Sequence, residues 1–96
     1  MKAYLILDFK IIDLNEFMEY VEKIPSHIKK HHGKYLIEGV HPDTIEGTWR
    51  PETLIVLEFE TRENANSFLA DPEVKELFGI RHRSTEGNLI LVDGGS

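Results

Sequence analysis

Ninety-six residues with 41% hydrophobic and 29% charged side chains make one globular domain, and the domain is taken to span residues 1–96. The formal charge of −6 repels phosphate backbones, and no run of about 18 apolar residues occurs, so neither a nucleic-acid nor a membrane partner is expected. With no cysteine there is no disulfide, thiolate metal site or iron–sulfur cluster, and the balance fits a cytoplasmic protein.

The opening MKAYLILDFK ends its apolar run at Asp8 without a small-residue cleavage site, and reads as a strand, Ala3 to Phe9, rather than a leader. Asp13 to Glu16 has the form of a capping box before a helix from Leu14 to Lys30. Its apolar stripe is read as Leu14, Phe17, Met18, Val21 and Ile28, with a kink or break expected at Pro25 and Gly33 as the stop. A short second strand covers Lys34 to Glu38. Gly39 to Glu52, punctuated by Pro42, Gly47 and Pro51, is a long loop that holds the only tryptophan, Trp49.

Thr53 to Phe59 is the third strand. Thr61 caps a second helix carrying Ala65, Phe68 and Leu69, and Asp71-Pro72 restarts it as cap and first residue, with Val74, Leu77 and Phe78 continuing the stripe. Arg81 to Gly87 reads as a polar loop, Asn88 to Val92 as the fourth strand, and the last four residues as a frayed tail. Right-handed crossovers in a β-α-β-β-α-β order put strands 1 and 3 at the centre. The fold class is therefore α+β and ferredoxin-like: a four-stranded antiparallel sheet with two helices on one face.

Helices on one face leave the other open. Leu5, Leu7 and Phe9 with Ile55, Leu57 and Phe59 are assigned to the helix side. The opposite set, Tyr4, Ile6, Leu36, Leu54, Val56 and one pair from strand 4, is still mostly apolar, and is expected to exceed what a monomer usually exposes. The expected cover is a second copy, giving a homodimer through the sheet face; the alternative is a monomer whose long loop folds over it. Asp8, Glu38 and Glu58 are the polar members of that face. A carboxylate in a partly apolar cleft would have a raised pKa and serve as acid or base, whereas a rim carboxylate would pair with a lysine or arginine.

Several stretches together resemble a known family. They are Tyr20 and Pro25, Gly33-Lys34-Tyr35-Leu36, Glu46-Gly47-Thr48-Trp49-Arg50-Pro51, Leu54 to Phe59, Asp71-Pro72-Glu73, Arg81, and Leu89 to Gly94. The pattern is similar to the domain-of-unknown-function family 1330 of the dimeric α+β barrel superfamily, and covers nearly the whole chain. The resemblance implies a ferredoxin-like subunit dimerised with sheets facing. It implies no reaction and carries over no catalytic residue, because superfamily relatives range from cofactor-free monooxygenases and isomerases to stress-responsive domains and haem enzymes. The chain departs from the pattern at His32, where a glycine is common, and at Thr53, where an arginine is common and Arg50 is the nearest substitute.

His27 and His31 have the i, i+4 spacing of a shared divalent ion, with His41 or a carboxylate as third ligand, but KKHHGK also suits a helix C-terminus where cations complement the dipole. The dipole reading is preferred, and no metal is expected. Arg81-His82-Arg83-Ser84 is a basic spot: Arg81 either forks onto a ligand carboxylate or phosphate, or pairs with a nearby acid. Trp49 and Tyr20 each divide between packing and ligand contact. No Gly-rich phosphate loop occurs, so nucleotide hydrolysis is not expected, and there is no nucleophile elbow or aromatic RNA-binding motif; no cofactor is assigned.

The expected function is a small-molecule site at the sheet or dimer interface lined by Tyr20, Trp49, Arg50, Glu58 and Arg81. Glu58 is the first catalytic candidate, for cofactor-independent proton-transfer or oxygenase-like chemistry. The alternative is a non-catalytic stress-response or structural dimerisation module.

Overall fold

The computed structural model describes residues 1–95; Ser96, the end of the expected tail, lies outside the described residues. The elements in chain order are β1 (Ala3–Ile11), α1 (Leu14–Lys30), β2 (Gly33–Val40), β3 (Thr53–Phe59), α2 (Arg62–Ala70), α3 (Pro72–Ser84) and β4 (Thr85–Asp93). The four strands form one antiparallel sheet in the order β2-β3-β1-β4, with β1 and β3 central as the crossover rule requires. Among the described residues no helix is long and apolar enough to cross a membrane.

The helix starts follow their caps. Asp13 accepts from the Glu16 amide at 3.1 Å, but the return arm of the box is absent: the Glu16 carboxylate binds Arg83 Nε at 2.7 Å. Thr61 accepts from Asn64 N, and Asp71 closes α2 while capping α3 through Glu73 N at 2.9 Å.

Where two helices were expected there are three, because Asp71 ends α2 before it caps α3, and other expectations change as well. Helix α1 runs through Pro25, and its buried stripe is Phe17, Tyr20, Ile24 and Ile28, leaving Leu14, Met18 and Val21 exposed. Its left-handed terminal residue is His32 (φ 63°), not Gly33. Gly33 is needed for another reason: a Cβ there would meet Phe59 at 2.6 Å and Ile28 at 2.9 Å. Finally, 81–87 is no loop. Helix α3 extends to Ser84 and β4 begins at once, because Val74, Leu77, Arg81 and Ser84 fall on one buried helical face. The turn is held by Ser84 and Thr85 hydroxyls donating to Ile80 and Arg81 carbonyls, and by Ile12 N and Asp13 N donating to Ser84 O.

The core lies between sheet and helices. Ala3, Leu5, Leu7 and Phe9 of β1 and Leu57 and Phe59 of β3 point into it, as the alternation predicts. A line of rings in contact crosses it, Phe9–Phe17–Tyr20–Phe78–Phe68–Phe59, with neighbouring centroids 5.2–6.4 Å apart. Phe59 and Phe68 are fully buried, and truncating either to alanine should cost about 3–5 kcal/mol.

The other sheet face has no helix. Register pairing places Ile90, Ile6, Val56 and Ile37 side by side across all four strands, a continuous aliphatic rung. Strand β2 reaches this arrangement through a bulge at Leu36. The bulge brings Ile37 opposite Val56 and turns Glu38 opposite Ile55 on the helix side, reversing the expected alternation of this strand.

Candidate functional site

The five residues expected to form one site are divided among three places. Glu58 is on the open sheet face, opposite Tyr4 and Lys34. Its carboxylate accepts from Lys2 Nζ at 3.1 Å and lies 3.6 Å from Lys34 Nζ. Lys2, donating to it, holds the Glu58 carboxyl below the usual range, with Tyr4 and Lys34 acting in the same sense. A raised pKa was the expectation for an acid–base carboxylate in a cleft. The lysines beside strand ends produce the opposite, and the pairing of a rim charge describes Glu58.

Trp49 and Arg50 are in the loop from His41 to Glu52. The Trp49 indole N–H donates to Asp8 Oδ2 at 2.6 Å, and Thr44 donates to Trp49 O at 2.6 Å, which anchors the loop at one margin of the open face. The loop does not cover that face: Ile90 is 54% exposed, and Trp49 and Ile45 themselves are 61% and 87% exposed. A shallow apolar recess of about 280 Å³ lies between the loop and Leu54. Arg50 is exposed at the same margin, in a shallow depression with Asp8, Phe9, Lys10 and Glu86.

Tyr20 and Arg81 do meet, on the helix side. The Arg81 guanidinium lies over the Phe78 ring (4.4 Å to the centroid) and near Tyr20 (5.9 Å). Arg81 is 6% exposed and makes no ion pair with any described carboxylate; its Nε is buried without a hydrogen-bond partner. Burial pushes the Arg81 pKa down and the Tyr20 phenol up to about 12, so Tyr20 remains neutral. Arg81 lines a cavity of about 250 Å³ between the last turn of α3 and the sheet, with Leu7, Phe9 and Leu89 as apolar floor and His82, Thr85 and Asn88 at its edge. That volume equals roughly eight waters and is below the pocket of a drug-sized ligand. Tyr20 backs Arg81 without lining the cavity.

The sequence reading missed His82 as a cavity residue. Placing 81–87 in a loop hid it; the signal available was the apolar spacing Val74, Leu77, Arg81, which continues the helix through it. His27 and His31 do not converge on a metal position. His31 Nε2 binds Asp71 Oδ2 at 2.8 Å, and His27 Nδ1 lies 3.6 Å from Glu73, too far for a hydrogen bond. His41 Nδ1 pairs with Glu52 O in the loop at 2.8 Å. No cluster of three metal-ligating side chains occurs among the described residues. The His31 bond, followed by the Glu73 amide and Lys30, brings the Asp71 pKa down to about 2.

The family model described as "Domain of unknown function (DUF1330)" matches residues 2–95. No curated protein sequence matches the chain. Among solved structures, a protein of unknown function from Rhodopseudomonas palustris superposes with TM-score 0.81 at 11% identity, over 99% of this chain and 83% of the other. SnoaB from Streptomyces nogalater, a cofactor-independent oxygenase, gives 0.67 at 7% identity, over 99% and 94%. A dimeric protein of unknown function with a ferredoxin-like fold from Bacteroides fragilis gives 0.59 at 19% identity, over 97% and 96%. At these identities the likeness establishes the fold.

Proposed function

The chain belongs to the DUF1330 family, and on that premise we propose that it is a homodimer joined through the open sheet face, each subunit binding a small organic anion in the Arg81 cavity. The observation that carries the ligand reading is Arg81 itself. It is a buried guanidinium with no carboxylate partner, lining a cavity with an apolar floor. Burying an uncompensated charge costs several kcal/mol, and a ligand carboxylate or enolate recovers that cost through a charge-assisted fork. Phe78 and Tyr20 hold the guanidinium in place, which lowers the ordering cost of binding.

An arginine so placed favours the anionic form of a bound acid, which is what proton transfer or cofactor-independent oxygen chemistry demands of a site. SnoaB, with the same fold, is a cofactor-independent oxygenase. We assign this chain the same broad class, with the ligand's own carbanion or phenolate as the reactive species. Glu58 and Arg50 stay outside the chemistry in this reading, since one is paired with lysines and the other is exposed in a neighbouring depression and does not line the cavity.

The dimer reading rests on the aliphatic rung and its surroundings. Four strands at ~4.8 Å and seven residues at ~3.3 Å make roughly 400 Å² of flat face, which lies within the range monomers expose rather than above it as expected, and is about half of a standard interface per partner. Trp49 and Ile45, exposed at the margin, supply further area to a second copy. The test of function is a calorimetric screen of small aliphatic and aromatic carboxylates against the wild type and Arg81→Met, with turnover followed by oxygen uptake and product chromatography. Binding that the variant loses supports the site; a panel with no binder removes it.

A further inference from the structure

Arg81 and His82 are adjacent in sequence, and their side chains meet: Arg81 Nη2 lies 3.2 Å from His82 Nε2. A guanidinium carries donors only, so the imidazole nitrogen is the acceptor. In this contact the His82 Nε2 lone pair is engaged, which leaves Nδ1 as the ring position for a proton. Both residues line the same cavity. The cavity thus contains one cation whose proper partner would be an anion, and one base whose lone pair that cation occupies.

Resting on the anion-site reading above, we propose that His82 is a general base masked by Arg81, and that an anion entering the cavity unmasks it. A ligand carboxylate pairs with Arg81 more strongly than a neutral imidazole does, because both partners are charged. The Arg81 Nη2 donor then turns from His82 Nε2 to the ligand while the guanidinium keeps its place over Phe78, and the freed lone pair faces the ligand. The step that follows is a proton transfer. A ligand C–H or O–H bond breaks, the proton passes to His82 Nε2, and the electron pair stays on the ligand as an enolate or phenolate beside Arg81. His82 leaves the step as an imidazolium and returns the proton to product or to water at the exposed cavity edge.

The ligand class follows from the geometry. It is a small acid bearing a second acidic C–H or O–H close to its carboxylate, such as a β-keto acid or a hydroxylated aromatic acid, sized to about 250 Å³. The coupling also gives discrimination. A neutral molecule that enters does not displace Arg81 and meets no free base. His82 does not depend on Glu58 or on the dimer face, so its role is separable from both.

The experiment is side-chain ¹⁵N NMR of the histidines in the full chain, with benzoate as the probe because its carboxylate engages arginine while it has no acidic proton to give. In the free wild type, His82 Nε2 should be unprotonated and carry the upfield shift of a hydrogen-bonded acceptor. Saturating benzoate should move it downfield to the free lone-pair position. Arg81→Met should show that position without benzoate, and diethyl pyrocarbonate should modify its His82 at least about tenfold faster than in the wild type, the other four histidines serving as internal standards. A His82 Nε2 that carries a proton in the free protein, or a resonance that benzoate binding leaves unmoved, overturns the masking while leaving the anion site standing. Failure of benzoate and of the wider carboxylate panel to bind removes the site and the masking with it. The wild-type arms need no variant, so a substitution that fails to fold does not compromise the test.

Discussion

Replacing Ile6 by glutamate separates assembly from folding. Ile6 sits in the middle of the rung Ile90–Ile6–Val56–Ile37, on the face away from the helices, and is only half-buried in the subunit. In an isolated subunit the new carboxylate points to water, and the loss is that of a surface strand substitution, about 1 kcal/mol or less. In a two-fold dimer the same change buries two unpaired charges. At about 3 kcal/mol each, the lower end for a broken buried pair, the dimer loses about 6 kcal/mol, or about 10⁴-fold in Kd. Sedimentation velocity at micromolar concentration should give the wild type at twice the 11.1 kDa chain mass and Ile6→Glu at the chain mass, with matching circular dichroism. A monomeric wild type, or a variant that still dimerises, would refute the packing argument.

Trp49 is the only tryptophan and is 61% exposed in the subunit, so its emission should shift to the red as the dimer is diluted apart, in wild type but not in Ile6→Glu. His32→Gly should stabilise the fold by about 1 kcal/mol by relieving the left-handed backbone, whereas Gly33→Ala should destabilise it by about 1–3 kcal/mol through the clash with Phe59; urea midpoints read both. Asp71 has a depressed pKa, so its contribution is complete above the ordinary value of 3.8 and is lost as pH falls through about 2. Asp71→Asn should therefore be less stable than wild type at neutral pH, with the gap closing across that window; a gap that is constant with pH would contradict the linkage.

Strand order, caps and the helix-facing core were legible because each rests on local chemistry. Asp13, Thr61 and Asp71-Pro72 announce their helices, and Leu5, Leu7 and Phe9 keep strict alternation. The failures share a cause in tertiary context. Leu14, Met18 and Val21 have helical spacing, yet the line Tyr20–Ile24–Ile28 faces the sheet, and a tyrosine did not count as a core position. The Leu36 bulge changes the face of β2 and has no sequence mark of its own. The charges of Arg81 to Arg83 suggested a loop, although Arg81 continues a buried stripe with its guanidinium over Phe78. That one misreading concealed the cavity, His82 and the continuity of α3. Glu58 looked like a lone acid because Lys2 and Lys34 are distant in sequence and close only through strand pairing.

If Arg81 awaits an anion, isothermal titration of small carboxylates into wild type and Arg81→Met separates the two proteins. The wild type should show saturable one-per-subunit binding, at least about tenfold weaker in the variant, with the variant melting no lower because an uncompensated charge has gone. Equal binding by both proteins, or binding by neither, would contradict that reading.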